Sequence, residues 1–149
     1  MASSDMHKFR PKTVDHIGIM VKDCEKVIEH WEQVLGIGPW EIRDVNSTTS
    51  EGKTVTTRLA FTYLGGLLMA LVQPPEGRSE FLDTHGEGLH HLGFFVDDVD
   101  VEVANLVEQG VKIISHNKGR SAHLDIGGPG GVIYEVMKES NYLQVPRNI

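Results

Sequence analysis

Residues Val14–Asp23 read VDHIGIMVKD, and Leu89–Asp98, 75 positions later, read LHHLGFFVDD. His16 falls on His91, Gly18 on Gly93, Val21 on Val96 and Asp23 on Asp98. Both blocks alternate and are rich in aliphatic or aromatic residues, the pattern of a strand with two unlike faces. Each then meets an aspartate suited to capping a helix, and a helical pattern follows. The first helix is expected through CEKVIEHWEQVLG, with Val27, Trp31, Val34 and Leu35 on one face. The second is expected through VDVEVANLVEQG, with Val99, Val103, Leu106 and Val107. Both stop near a glycine, Gly36 or Gly110, which relieves the last turn.

Outward from these blocks the duplication continues. Extended segments follow the first helix at WEIRDV, TVTTRLAFTYL and LLMALVQ, and the second at VKIISH, RSAHLDI and GVIYEVM. Each half therefore reads β-α-β-β-β, and each ends alike, in GGLLMALV (65–72) or GGVIYEVM (130–137). The Pro/Gly-rich stretch QPPEGRSEFLDTHGEG joins the halves, with one short helical turn at SEFLD. A half of some 60 residues is marginal alone, so the two are expected to build one core. The expected class is α+β: two paired βαβββ modules in a curled, mostly antiparallel mixed sheet around a central cavity. One domain would span 1–149, with modules at about 13–73 and 89–138, a linker at 74–88 and a tail at 139–149. The opening MASSDMHKFRPK lacks the apolar stretch of a secretory signal and reads as a short disordered leader.

Composition narrows the class of function. A 40% hydrophobic, 23% charged chain is that of an ordinary globular protein, and no apolar run approaches the roughly 20 residues of a membrane span. Net charge is −7 without a basic cluster, which argues against a nucleic-acid partner. The single cysteine, Cys24, allows no internal disulfide and fits a reducing cytoplasm. It reads as an inert, half-exposed thiol at a helix start.

The repeat also aligns chemistry. His16 matches His91, and Ala70 matches Glu135, so three of four equivalent places hold His, His and Glu, a divalent-metal ligand set. Each residue alone has a plainer reading: a histidine hydrogen-bonded in a core, or a glutamate facing solvent on an edge strand. What points to a metal is the agreement of all three with the repeat.

The segments VDHIGIMVKD, GEGLHHLGFFVDDVD and GGVIYEV resemble the vicinal oxygen chelate (glyoxalase/bleomycin resistance/dioxygenase) superfamily, in its methylmalonyl-CoA epimerase-like group. The resemblance runs over residues 13–138. It implies paired modules closing around a divalent ion (Co, Mn, Zn, Ni or Fe), with His16, His91 and Glu135 as ligands, and a homodimer. The fourth ligand of that group falls on Ala70, four residues before Pro74, and an alanine cannot coordinate. Gln73 would lie on the opposite face. The glutamate base used on an earlier strand falls within KTVTTR, which has no carboxylate. His90, by strand alternation, points away from His91 and takes a supporting role.

The expected activity is an isomerase: an epimerase or racemase working next to a carbonyl through an enolate that the cation stabilises. His123, Glu135 and Tyr63 are the candidate proton carriers, with Glu51 a weaker one, and Arg58 or Lys53 could receive an anionic substrate group. Met20, Leu68, Val72, Phe95, Ile133 and Met137 share strand faces with the ligands and would make the cavity apolar. That suits a bulky ketone, such as the isoflavanone of dihydrodaidzein racemases, at least as well as an acyl-CoA. Two alternatives stand beside it. The same triad serves Fe(II) ring-cleaving dioxygenases, and a member without metal would be a small-molecule-binding protein.

Overall fold

The computed structural model describes residues 13–129 and 131–139. In chain order these form β1 (Thr13–Met20), α1 (Cys24–Leu35), β2 (Glu41–Thr48), β3 (Thr54–Leu64), β4 (Leu67–Gln73), α2 (Glu80–His85), β5 (Gly88–Phe95), α3 (Val99–Glu108), β6 (Lys112–Asn117), β7 (Ser121–Asp125) and β8 (Ile133–Met137). The α+β class and the twice-run β-α-β-β-β order are thus as expected, and SEFLD becomes the start of α2. The chain divides into two compact units, with boundaries after Asp15 in β1 and after His91 in β5. No helix among the described residues is long and apolar enough to cross a membrane. The leader and the C-terminal tail lie outside the described residues.

In the N-terminal unit the strands run β2-β3-β4-β1. Both β2/β3 and β3/β4 are antiparallel, whereas β4/β1 is parallel. Helix α1 begins at Asp23, whose side chain accepts from the Lys26 N–H, and ends at Gly36 in the left-handed conformation. Its packed stripe is Cys24, Val27, Ile28 and Trp31, set against Val21, Ala60 and Leu71 of the sheet. Two expectations change here. Val34 and Leu35 stay exposed, at 62% and 63%, because the cluster under α1 reaches only as far as Trp31. Cys24 opens the stripe and is wholly buried rather than half-exposed. Its N–H donates to Gln73 Oε1, and its thiol faces the Arg58 carbonyl. Burial pushes that thiol up to about 11, against a partly opposing field from Arg58.

In the C-terminal unit the order is β5-β8-β7-β6, with β6/β7 and β7/β8 antiparallel. Asp98 caps α3 by accepting from the Val101 N–H. Val99, Val103 and Leu106 of the helix pack on Ala122, Leu124 and Val136 of the sheet. Each fully buried Leu or Val side chain there stabilises the fold by about 1.5–3 kcal/mol relative to exposure. Val107, expected on that face, remains 43% exposed.

The two units obey one rule. Side chains alternate along a strand, so the helix covers one face of each sheet and leaves the other helix-free. Leu71 and Ala60 meet α1, so their strand neighbours Ala70 and Phe61 turn the other way. Leu124 and Val136 meet α3, so His123 and Glu135 turn the other way.

Candidate functional site

On the helix-free face of the N-terminal unit the register stacks Tyr63, Leu68 and His16 across β3, β4 and β1, and Phe61, Ala70 and Gly18 beside them. His16 and His91 are buried, at 2% and 4% exposure, and their Nε2 atoms lie 2.9 Å apart. Buried polar atoms need partners, and here one imidazole donates to the other. The same separation is slightly below what two ligands of one metal would show. Two nitrogens bound about 2.1 Å from one ion at neighbouring positions lie roughly 3.0–3.4 Å apart. The donor set His16, His91 and Glu135 is of a kind that can hold such an ion.

Gly18 makes room for this pair. A Cβ at that position would collide with the His91 ring, so the glycine is required for space rather than for backbone freedom. Ala70, beside Gly18 in the register and 3% exposed, puts a methyl group at the fourth place.

His90 keeps the supporting place expected of it beside His91 but reaches it by an unexpected route. Alternation directs it away from His91, yet the two rings meet edge to face, with Nδ1 atoms 2.7 Å apart. Phe81 of α2 packs against His90 at 4.7 Å between ring centroids. Both nitrogens of His91 therefore have an imidazole neighbour, one on each side. Nothing in the sequence pattern marks Phe81 as part of this support.

Across the C-terminal sheet, Ser115, His123 and Glu135 lie directly opposite one another on β6, β7 and β8. His123 Nε2 is 3.2 Å from Glu135 Oε2, and His123 Nδ1 is 3.0 Å from Ser115 Oγ. Their side chains are 25% and 13% exposed, His123 more than Glu135. His123 and Glu135 are thus brought together.

The remaining candidates separate. Tyr63 shares a face with His16, but two strand spacings, about 9–10 Å, lie between their Cα atoms. Arg58 turns to the opposite face, where its guanidinium grips Asp44 through Nε and Nη2 at 2.8 and 3.0 Å and Glu25 at 2.9 Å. That hydrogen bonding keeps Arg58 charged and holds the Asp44 carboxyl below its ordinary range. Arg58 is therefore spoken for and does not receive a substrate anion on the His16 face. Glu51 and Lys53 are exposed around the β2–β3 turn. Gln73 caps α1 through Cys24, so it does not replace the missing ligand. A separate cleft of about 560 Å³, bordered by Lys22, Gln73, Pro74, Glu76, Leu82 and Asp83, contains none of the candidates.

Comparison with known proteins agrees with this architecture. Residues 15–126 match the model of the Glyoxalase/Bleomycin resistance protein/Dioxygenase superfamily. The mitochondrial methylmalonyl-CoA epimerase of Bos taurus is 29% identical over 133 residues, 83% of this chain and 72% of its own. The uncharacterized protein YqjC of Bacillus subtilis is 30% identical over 104 residues, 68% of this chain and 69% of its own. In structure, the Streptomyces coelicolor methylmalonyl-CoA epimerase solved with 2-nitronate-propionyl-CoA superposes at a TM-score of 0.61. The match covers 87% of this chain and 98% of that one at 22% identity, a likeness of fold.

Proposed function

The chain belongs to the glyoxalase/bleomycin resistance protein/dioxygenase superfamily, and on that premise we propose that it is an epimerase or racemase inverting a stereocentre next to a carbonyl. His16, His91 and Glu135 would hold one divalent ion. Such an ion polarises a carbonyl oxygen and acidifies the adjoining C–H bond. His123 then carries the proton on one face of that carbon, oriented by Glu135 through Nε2. Tyr63, on the face that bears His16, is the donor assigned to the other side.

The observation that carries this reading is the buried His16–His91 pair, His16 standing on a face it shares with Leu68, Ala70, Phe61 and Met20. Two imidazoles buried in apolar surroundings are costly unless hydrogen-bonded or bound to an ion, and this pair converges nitrogen to nitrogen. The apolar surround favours a bulky substrate, either an acyl-CoA such as methylmalonyl-CoA or an aromatic ketone such as dihydrodaidzein. By the same resemblance the enzyme acts as a homodimer, and its single cysteine fits a cytoplasmic setting.

The test is incubation with single enantiomers of both substrates in deuterated water. The expected result is deuterium at the stereocentre together with loss of optical purity, abolished by His123→Asn. Retention of both hydrogen and configuration in every substrate would overturn the reading. Ala70 favours one competitor, because two histidines and one carboxylate are also the ligand set of Fe(II) ring-cleaving dioxygenases. Oxygen uptake by the ferrous protein with a catechol would select that alternative.

A further inference from the structure

Strand β2, at the end of the sheet order, has its polarity inverted. Glu41 and Arg43 are partly buried, while Ile42 between them is 46% exposed. A charged pair turned inward where an aliphatic residue is turned out calls for a reason. The register supplies one. Glu41 lies opposite Phe61 and Arg43 opposite Leu59, while Phe61 lies opposite Ala70, which lies beside Gly18. Both charged residues therefore stand on the helix-free face that bears His16, whereas Arg58 stands on the other face with Asp44.

The two side chains hold one another. Arg43 donates from Nε, at 2.7 Å, and from Nη2 to a single oxygen, Glu41 Oε1. Its guanidinium also lies over the Phe61 ring, 5.8 Å from the centroid. The Arg43 side chain is 24% exposed and that of Glu41 40%, so the carboxylate is the more accessible member. Oε1 takes both N–H groups, and Oε2 remains an acceptor.

Charge then decides what the pair can receive. An incoming carboxylate has to displace Glu41 from Arg43 against like-charge repulsion, exchanging one carboxylate for another. A hydroxyl group donates to Oε2 without that repulsion, and a hydrogen bond to a charged acceptor is stronger than a neutral one. Between Glu41 and Gly18 the row is Phe61 and Ala70, three strand spacings or about 14 Å in all. That apolar stretch suits an aromatic ring better than a short acyl group.

We infer that Glu41, held by Arg43, is a specificity-determining residue. It accepts a hydrogen bond from a hydroxyl group of a neutral aromatic ketone and disfavours substrates that bear a carboxylate. The inference rests on the site and reaction proposed above, and it chooses between the two substrate classes named there. Arg43 acts through Glu41 as a positioning residue. A site built to bond a hydroxyl discriminates against the analogue that lacks it.

Binding of matched pairs tests this without turnover. Isothermal titration of the full chain would compare dihydrodaidzein with the isoflavanone lacking its hydroxyl groups, and methylmalonyl-CoA with propionyl-CoA. The wild type should prefer the hydroxylated isoflavanone by about tenfold or more, and propionyl-CoA over methylmalonyl-CoA. Glu41→Ala should erase the first preference and leave affinity for the unhydroxylated compound unchanged, which shows that the face is intact. Glu41→Gln should raise affinity for methylmalonyl-CoA relative to propionyl-CoA, since it removes the repelling charge and keeps the shape. Arg43→Met should also erase the hydroxyl preference, and Arg43→Lys, which keeps the charge, should restore part of it. A hydroxyl preference that survives Glu41→Ala, a wild type that binds methylmalonyl-CoA more tightly than propionyl-CoA, or no binding of any of the four overturns the inference. Deuterium exchange separates it from the reading beneath it. More efficient exchange into methylmalonyl-CoA than into dihydrodaidzein would keep the epimerase reading and overturn this inference. Hydroxyl-selective binding without exchange into any substrate would count against the epimerase reading alone.

Discussion

Gly18 and Cys24 show how much of this molecule is decided one residue at a time. Gly18 is there because the His91 ring occupies the space a side chain would fill. Gly18→Ala should therefore displace that imidazole, costing about 1–3 kcal/mol as overpacking in urea denaturation. Divalent-metal affinity in the same variant should fall at least tenfold. A variant that unfolds as the wild type does and binds metal equally well would show that the ring is elsewhere. Cys24 makes a prediction about pH. Its folded-state pKa is raised from 9.0 to about 11, so the folded protein holds the thiol proton more tightly than the unfolded chain does. The stabilisation this represents is complete below pH 9 and is lost as pH rises toward 11, by something on the order of 2 kcal/mol. Denaturation midpoints for the wild type should fall across that window more steeply than those of Cys24→Ala. Parallel curves would contradict the buried-thiol assignment.

At the scale of elements, the repeat made nearly everything legible that depends on alternation. The strand boundaries of β3 and β4, both aspartate caps and both helices follow from period and capping chemistry. What it did not reveal are features that break period. The extra residue Ile114 turns Ser115 toward His123, and a bulge leaves no mark in a run of β-branched residues. The meeting of His90 with His91 likewise contradicts strict alternation. Helix α1 departs in a different way: its apolar stripe continues past the sheet it covers, so Val34 and Leu35 look like core and are not. This has a measurable consequence. Trp31→Ala should destabilise by about 2 kcal/mol or more, whereas Leu35→Lys should change stability by less than about 0.5 kcal/mol. Equal losses for the two would mean that the stripe extends to the helix end.

For the whole molecule, the candidate site is legible to the extent that duplication is. Equivalence of His16 with His91 and of Ala70 with Glu135 singles out the proposed ligands and the place where a fourth would stand, because related modules present related positions. The Ser115–His123–Glu135 row on β6, β7 and β8 is not repeated in the N-terminal half, where the row through Ala70 reads Glu41, Phe61 and Ala70. His123 and Glu135 could be named there from sequence, and Ser115 could not. The proposed activity needs His16, His91 and Glu135 on a single ion. Titration with Co²⁺, followed by its visible absorption, tests that requirement most directly. The wild type should bind one equivalent per chain, and His91→Ala and Glu135→Ala should each weaken binding at least a hundredfold while keeping the native circular dichroism. Wild-type affinity in Glu135→Ala would contradict a shared ion, and the proposed chemistry with it.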